Sequence, residues 1–263
     1  MKRVDFHEIG YLYHLSDRLV HGFLKCPAPF NRYMLLPFLA VLLPGVSFLI
    51  RPIIPLQGIN ILISAFSIIP VVLLLIIFVQ MAFSKPSPGA NDNASGILVL
   101  LELARRFSVK KETKCALELL ATGAEEMGFF GIKHYLKNHR ELDRQETVFI
   151  NLECVGGGIL YWATGEEHLL KISYEKKGIE IIEQLEKKGI IPAIPRTTII
   201  SPTDAGPITR SGYNSLTLIG LKESGVPVNY HTSGDTFDRL NQETLKQAAD
   251  IIERIIDHYQ SFR

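Results

Sequence analysis

Thr147-Val148-Phe149-Ile150-Asn151-Leu152-Glu153-Cys154-Val155-Gly156 is a strand-length apolar run that ends on a carboxylate and then a glycine. Its β-branched and aromatic residues favour a strand, and the glycine marks where the strand stops. Four other short apolar runs bounded by Gly, Pro or polar residues read the same way: Cys115–Ala121, Ile159–Ala163, Arg196–Ile200 and Ser215–Gly220. Helical periodicity lies among them. Ser95–Phe107 has a broad apolar face, and Ile172–Lys188 reads as a helix bent near Gly178. Gln242–Phe262 carries Leu245, Ala248, Ala249, Ile252, Ile255, Ile256 and Tyr259 on one stripe, with Asn241 placed to cap it. Helices alternating with buried strands predict an α/β fold whose sheet is covered on both faces.

This pattern holds only from about Lys85 onward. The 263-residue chain is 47% apolar, and its mean hydropathy of +0.17 is high for a wholly soluble enzyme. The excess sits in residues 33–84, where Met34–Ile50 and Ile53–Phe83 are almost free of charge and flank Arg51 and Pro52. About 20 apolar helical residues cross a bilayer core, so residues 33–84 read as a transmembrane helical hairpin turning near Arg51–Gln57. Lys2, Arg3, Arg18, Lys25 and Arg32 precede it, and Lys85 follows it, against Arg51 alone in the turn. That asymmetry predicts an integral membrane protein with both flanks on the cytoplasmic side. Residues 1–32 read as an amphipathic segment in which His7, His14 and His21 recur every seven residues, beside Leu12, Leu15, Leu19 and Phe23. The net charge of +1 gives no general attraction to nucleic acid. Cys26, Cys115 and Cys154 form neither a disulfide framework nor a paired-cysteine zinc motif.

Four polar clusters stand at the edges of the predicted elements: Gly89–Gly96 around Asp92, Ala121–Gly128 around Glu125 and Glu126, Asn151–Gly156 around Glu153, and Tyr230–Thr236 around His231. Each alone is an ordinary turn, helix cap or solvated acidic loop. Together they supply carboxylate and imidazole donors of the kind zinc accepts. They also lie at strand ends or helix starts, where open α/β sheets gather ligands. Glu125, next to a ligand candidate, is placed to act as general base on a metal-activated water.

The strings GANDNASGILVLLELAR, ATGAEEMGFFG, NLECVG and YHTSGDTFDRL closely resemble those of the zinc aminopeptidase and glutamate carboxypeptidase-like metallopeptidases, from about Ser87 to the C-terminus. Their spacings are family-like: 34 residues from Asp92 to Glu126, 27 to Glu153 and 78 to His231. The resemblance implies a three-layer sandwich around a mostly parallel mixed sheet over residues 85–263. It also implies one or two Zn2+ ions and a peptide substrate. Asp92 would bridge the two metals, Glu126 and His231 would complete one, and Glu153 would serve the other. Glu125 would be the general base. Asp235 would orient its loop, and Asp204, Asn93 and Tyr230 would line or support the site.

The resemblance also implies a further His ligand, in a His-x-Asp motif about twenty residues before the bridging Asp. Here that position falls near Val72, and no His lies between His21 and His134. The expectation is an N-terminally truncated member with a transmembrane insertion and a weak second metal site. The first metal's set of Asp92, Glu126 and His231 meets the minimum for a catalytic zinc. The leading functional expectation is a membrane-anchored zinc aminopeptidase. Two alternatives are a catalytically impaired member acting as a membrane module, and a single-zinc aminoacyl cyclase. Composition says nothing of the oligomeric state.

Overall fold

The computed structural model describes residues 86–110, 116–167, 171–174 and 176–259, with scattered helical positions between 39 and 83. Contacts divide the chain into two units, Met1–Ser87 with His231–Ser233, and Pro88–Tyr230 with Gly234–Arg263. The second unit carries the α/β fold. It opens with a π-helical turn, Ala90–Ala94, continuous with helix α1 (Ser95–Ser108). Then come α2 (Phe130–Asn138), β1 (Val148–Glu153), β2 (Ile159–Glu167), β3 (Lys171–Ser173) and α3 (Lys176–Lys187). β4 (Arg196–Ile199), α4 (Ala205–Arg210), β5 (Asn214–Leu221) and α5 (Gln242–His258) complete it.

β5 is the spine. All eight of its residues are buried, and residue parity assigns them to two faces. Leu216 and Leu218 join the larger core with Val99 and Leu103 of α1, Ile182 and Leu185 of α3, and Ile252 and Ile255 of α5. Ile219 and Leu221 face the other way, beside Ala163 and Ala205. On that second side Phe149 of β1 packs against Ile132 and Leu136 of α2 and Ile208 of α4. The result is three layers, with α1, α3 and α5 on one face of the sheet and α2 and α4 on the other. Gly178 lies inside α3 without ending it; a Cβ there would sit 2.9 Å from Leu216 Cδ2, so glycine lets the helix approach β5. Asn241 caps α5, its side-chain oxygen accepting from the Glu243 and Thr244 amides at 2.9 and 3.3 Å.

Three expectations need correction. The sheet is evenly mixed rather than mostly parallel: β1–β5 and β2–β4 are parallel, while β2–β5 and β2–β3 are antiparallel. Ala116–Ala121 forms no strand. An apolar run becomes a strand only where a neighbour offers a ladder, and this one is separated from β1 by a cavity lined by both. Ile172 and Ser173, read as the start of a helix, instead belong to β3, which pairs with Gly165–Glu167 of β2. Helices α2 and α4 escape sequence reading because they are short and bury few residues in periodic register. Among the described residues, no helix is long and apolar enough to cross a membrane. Most of the expected hairpin and all of residues 1–32 lie outside the described residues.

Leu218→Ala removes a fully buried side chain from the middle of β5 and is expected to cost about 2–5 kcal/mol. Denaturant unfolding monitored by circular dichroism measures this, and a loss under about 1 kcal/mol would mean that the site is looser than the fold implies.

Candidate metal centre

The Asp92 turn is held from two sides. The Asp235 carboxylate accepts the backbone N–H of Asn91 at 2.7 Å and of Asp92 at 3.1 Å. On the other side, the Asn93 amide donates to the Leu152 carbonyl at 2.7 Å and accepts from the Cys154 N–H at 3.2 Å. Asn91 accepts from the Gly156 N–H at 2.8 Å and donates to the Val228 carbonyl at 3.0 Å. Four segments far apart in sequence are thereby fixed around one aspartate. The close approach requires Gly156, where a Cβ would lie 2.5 Å from Leu240 Cδ2 and 2.9 Å from Asn91 Oδ1.

Glu125 and Glu126 stand on a tight turn closed by bonds from the Gly128 and Phe129 amides to the Glu125 carbonyl, at 2.9 and 2.8 Å. Thr122, at the start of this turn, donates to Asp204 Oδ2 at 2.6 Å. Thr203, the residue before Asp204, is held by Glu166, a buried carboxylate of β2. Glu166 accepts from the Thr203 N–H at 3.0 Å and the Tyr174 hydroxyl at 2.8 Å. The Tyr230 hydroxyl shares a 2.8 Å hydrogen bond with Ser201. Ala124, Cys154, Asn229 and His231 all have positive φ, at 56, 49, 57 and 51°. Such conformations cost free energy in non-glycine residues and concentrate at functional sites.

Two donor groups result. Asp92, Glu126 and His231 offer ligand atoms within 4.8 Å of one another, and so do Asp92, Glu153 and Cys154. Asp92 belongs to both. Crowded carboxylates explain the electrostatics. Burial, then the charges of Glu153, Glu126, Asp204 and Asp92, push Glu125 up to about 10. Burial, followed by Asp92, Asp204 and Glu126, raises Glu153 well above the usual carboxylate range. Burial and the same negative field raise the Tyr230 hydroxyl and the Cys154 thiol. A cation reverses the sign of that field, and oxygen, imidazole and thiolate donors suit zinc. These residues are therefore candidate zinc ligands.

The structure thus gathers Asp92, Glu126, Glu153 and His231, brings the Glu125 carboxylate into their field, and puts Asp235 and Asn93 behind Asp92. It adds Cys154, which sequence reading passed over. Adjacent strand residues point to opposite faces, so Glu153 and Cys154 would not share a site in a regular strand. The left-handed backbone at Cys154 turns the chain, and its Sγ lies 3.7 Å from Glu153 Oε1. Glu166 and Thr122 were also missed; a carboxylate inside an apolar strand was the available signal for the first.

Acidic donors at the end of β1, on the turn before α1 and on the turn before α2 form a candidate metal site on a three-layer α/β sandwich. The chain belongs to peptidase family M28, whose family model matches residues 78–256. It is 32% identical over 181 residues to aminopeptidase YwaD of Bacillus subtilis, covering 63% of this chain and 36% of that protein. Human endoplasmic reticulum metallopeptidase 1 is 30% identical over 183 residues, covering 65% and 19%. Among solved structures, the aminopeptidase from Aneurinibacillus sp. strain AM-1 superposes with a TM-score of 0.54 at 29% identity, covering 65% of this chain and 40% of that one. The Bacillus subtilis zinc aminopeptidase BSAP gives 0.52 at 28% identity, covering 68% and 44%. The chain spans less than half the length of each of these relatives.

Asp235→Asn keeps the shape but weakens the acceptor that holds the Asn91 and Asp92 amides. Zinc affinity, measured by competition with a chromophoric chelator, is expected to fall about 10- to 100-fold with the far-UV spectrum unchanged. Unchanged affinity would show that the Asp92 turn holds its shape without this support.

Proposed function

We propose that the chain is a zinc-dependent hydrolase of peptide bonds acting as an aminopeptidase. The observation that carries this reading is the pair of donor groups sharing Asp92, with the Glu125 carboxylate in the same field. Zinc held there would supply a Lewis acid for the scissile carbonyl and lower the pKa of a water. Glu125 would take the proton of the attacking water and return it to the leaving amine. Asp204, buried and tied to Thr122, and Tyr230, tied to Ser201, would border the substrate. An acidic rim attracts a free, protonated amino terminus, which favours exopeptidase over endopeptidase action.

The test is turnover of aminoacyl-nitroanilides by the zinc-loaded full chain and by Glu125→Gln. A loss of about 10²- to 10⁴-fold in kcat is expected, with zinc content by elemental analysis unchanged. Equal turnover would remove Glu125 as the base, and zinc retention by His231→Ala would remove the ligand assignment.

Membrane attachment belongs to the same proposal. Among the described positions of residues 39–83, Phe48, Leu49, Ile61, Ile68, Leu75 and Phe83 are helical with exposed apolar side chains, a surface that lipid would cover. With the charge pattern, this supports an integral membrane protein whose residues 85–263 face the cytoplasm. Resistance of the chain to alkaline carbonate extraction from membranes, with residues 85–263 cleaved by protease only from the cytoplasmic side, is the expected outcome.

A further inference from the structure

β2 is an apolar strand that buries a carboxylate. Glu166 is 1% exposed, on a strand whose other buried residues are Leu160, Trp162, Ala163 and Gly165. Taking a carboxylate out of water is costly, and an apolar side chain of similar size is often as stable in its place. Core stability alone therefore gives no reason for a carboxylate here. What Glu166 holds does give one.

Its donors all fall on one oxygen. Oε1 accepts the Thr203 N–H at 3.0 Å, the Thr203 hydroxyl at 2.5 Å and the Tyr174 hydroxyl at 2.8 Å. Oε2 is buried with no hydrogen-bond partner among the described residues, and a Cβ at Gly206 would lie 2.5 Å from it. The carboxylate is thus wedged between the sheet and the first turn of α4, and it grips one residue of the loop between them. β2 is a firm base for that grip, since it pairs with β3, β4 and β5.

The gripped residue precedes Asp204. Thr203 gives both its N–H and its hydroxyl to Glu166. Its Oγ1 also accepts the Ala205 N–H at 3.2 Å, and its carbonyl accepts the Gly206 N–H at 3.1 Å. Asp204 is bracketed by these bonds, and its Oδ2 accepts the Thr122 hydroxyl at 2.6 Å. Thr122 leads into the turn that carries Glu125 and Glu126. That turn is closed further on by the Phe130 and Gly131 amides, which donate to the Ala124 and Gly123 carbonyls at 3.2 and 2.9 Å.

We infer that Glu166 is a positioning residue, which sets the place of Asp204 and, through the Asp204–Thr122 bond, of the turn that presents Glu125 and Glu126. It is not one of the metal donors; it acts by tying their turn to a strand of the sheet, and sites held by rigid elements are more precise than sites held by loops. Its effect on turnover rests on the proposed function, and its effect on the turn does not.

Two measurements on the zinc-loaded full chain in detergent test it. Glu166→Met keeps much of the volume and removes the acceptor. Hydrogen–deuterium exchange should show the amides of residues 128–131 about tenfold faster in this variant, with the α5 amides still protected. Thr203→Val, a milder change, should act in the same direction, and it decides the matter if Glu166→Met also unprotects α5. With aminoacyl-nitroanilides, Glu166→Met should lower kcat about 10- to 100-fold at unchanged zinc content. Glu166→Gln, whose amide oxygen accepts the same three donors, should recover most of that loss. Added to Asp204→Ala, Glu166→Met should lower kcat little further, because both act through one linkage. Losses that multiply in the double variant, turn amides that keep their unaltered exchange rate, or a Glu166→Gln variant as slow as Glu166→Met would each overturn the assignment. An unaltered chain without turnover would refute the peptidase reading instead, and the exchange rates alone would then decide the positioning role.

Discussion

The molecule's organising constraint is the forced proximity of carboxylates. The charges of Asp92, Glu126 and Asp204 add to burial in raising the proton affinity of Glu125 and Glu153, and dispersing the group into solvent would relieve that cost. The fold prevents dispersal with uncharged means: backbone amides given to Asp235, the Asn93 amide given to the end of β1, and the Thr122 hydroxyl given to Asp204. None of these bonds neutralises the cluster. They fix its geometry and leave its charge to be met by a cation, which is the arrangement a metal centre requires and a structural ion pair avoids.

Backbone strain is distributed to the same end. Positive φ at Ala124, Cys154, Asn229 and His231 falls on the segments that deliver the donors, while β5 and the helices behind them are regular. Rigid layers carry irregular loops, and the irregularity aims side chains that regular geometry would send elsewhere. Cys154 shows this most directly, since strand parity alone would turn it away from Glu153.

The fold and the donors were legible in the sequence to different depths for physical reasons. β5 and α5 were readable because burial imposes a strict period on their residues. Asp92, Glu126, Glu153 and His231 were readable from residue type and spacing beside strand ends. Strand direction was not readable, because parallel and antiparallel ladders ask for the same buried residues; hence the sheet proved evenly mixed. Ala116–Ala121 has strand composition but lacks a ladder partner among the described residues, and no local pattern encodes a partner's distance. Cys154 and Glu166 depend on a single left-handed residue and on a loop thirty-seven positions away, respectively.

β1 joins these two themes. Its last residue, Glu153, and the one after it, Cys154, supply two donors of one group, and Asn93 anchors the shared Asp92 through Leu152 and Cys154. An edge strand is ordinarily the first part of a sheet to open, because half its backbone groups lack a ladder. A cation held between Asp92 and Glu153 would therefore also order the end of β1, because Asn93 ties the Asp92 turn to Leu152 and Cys154.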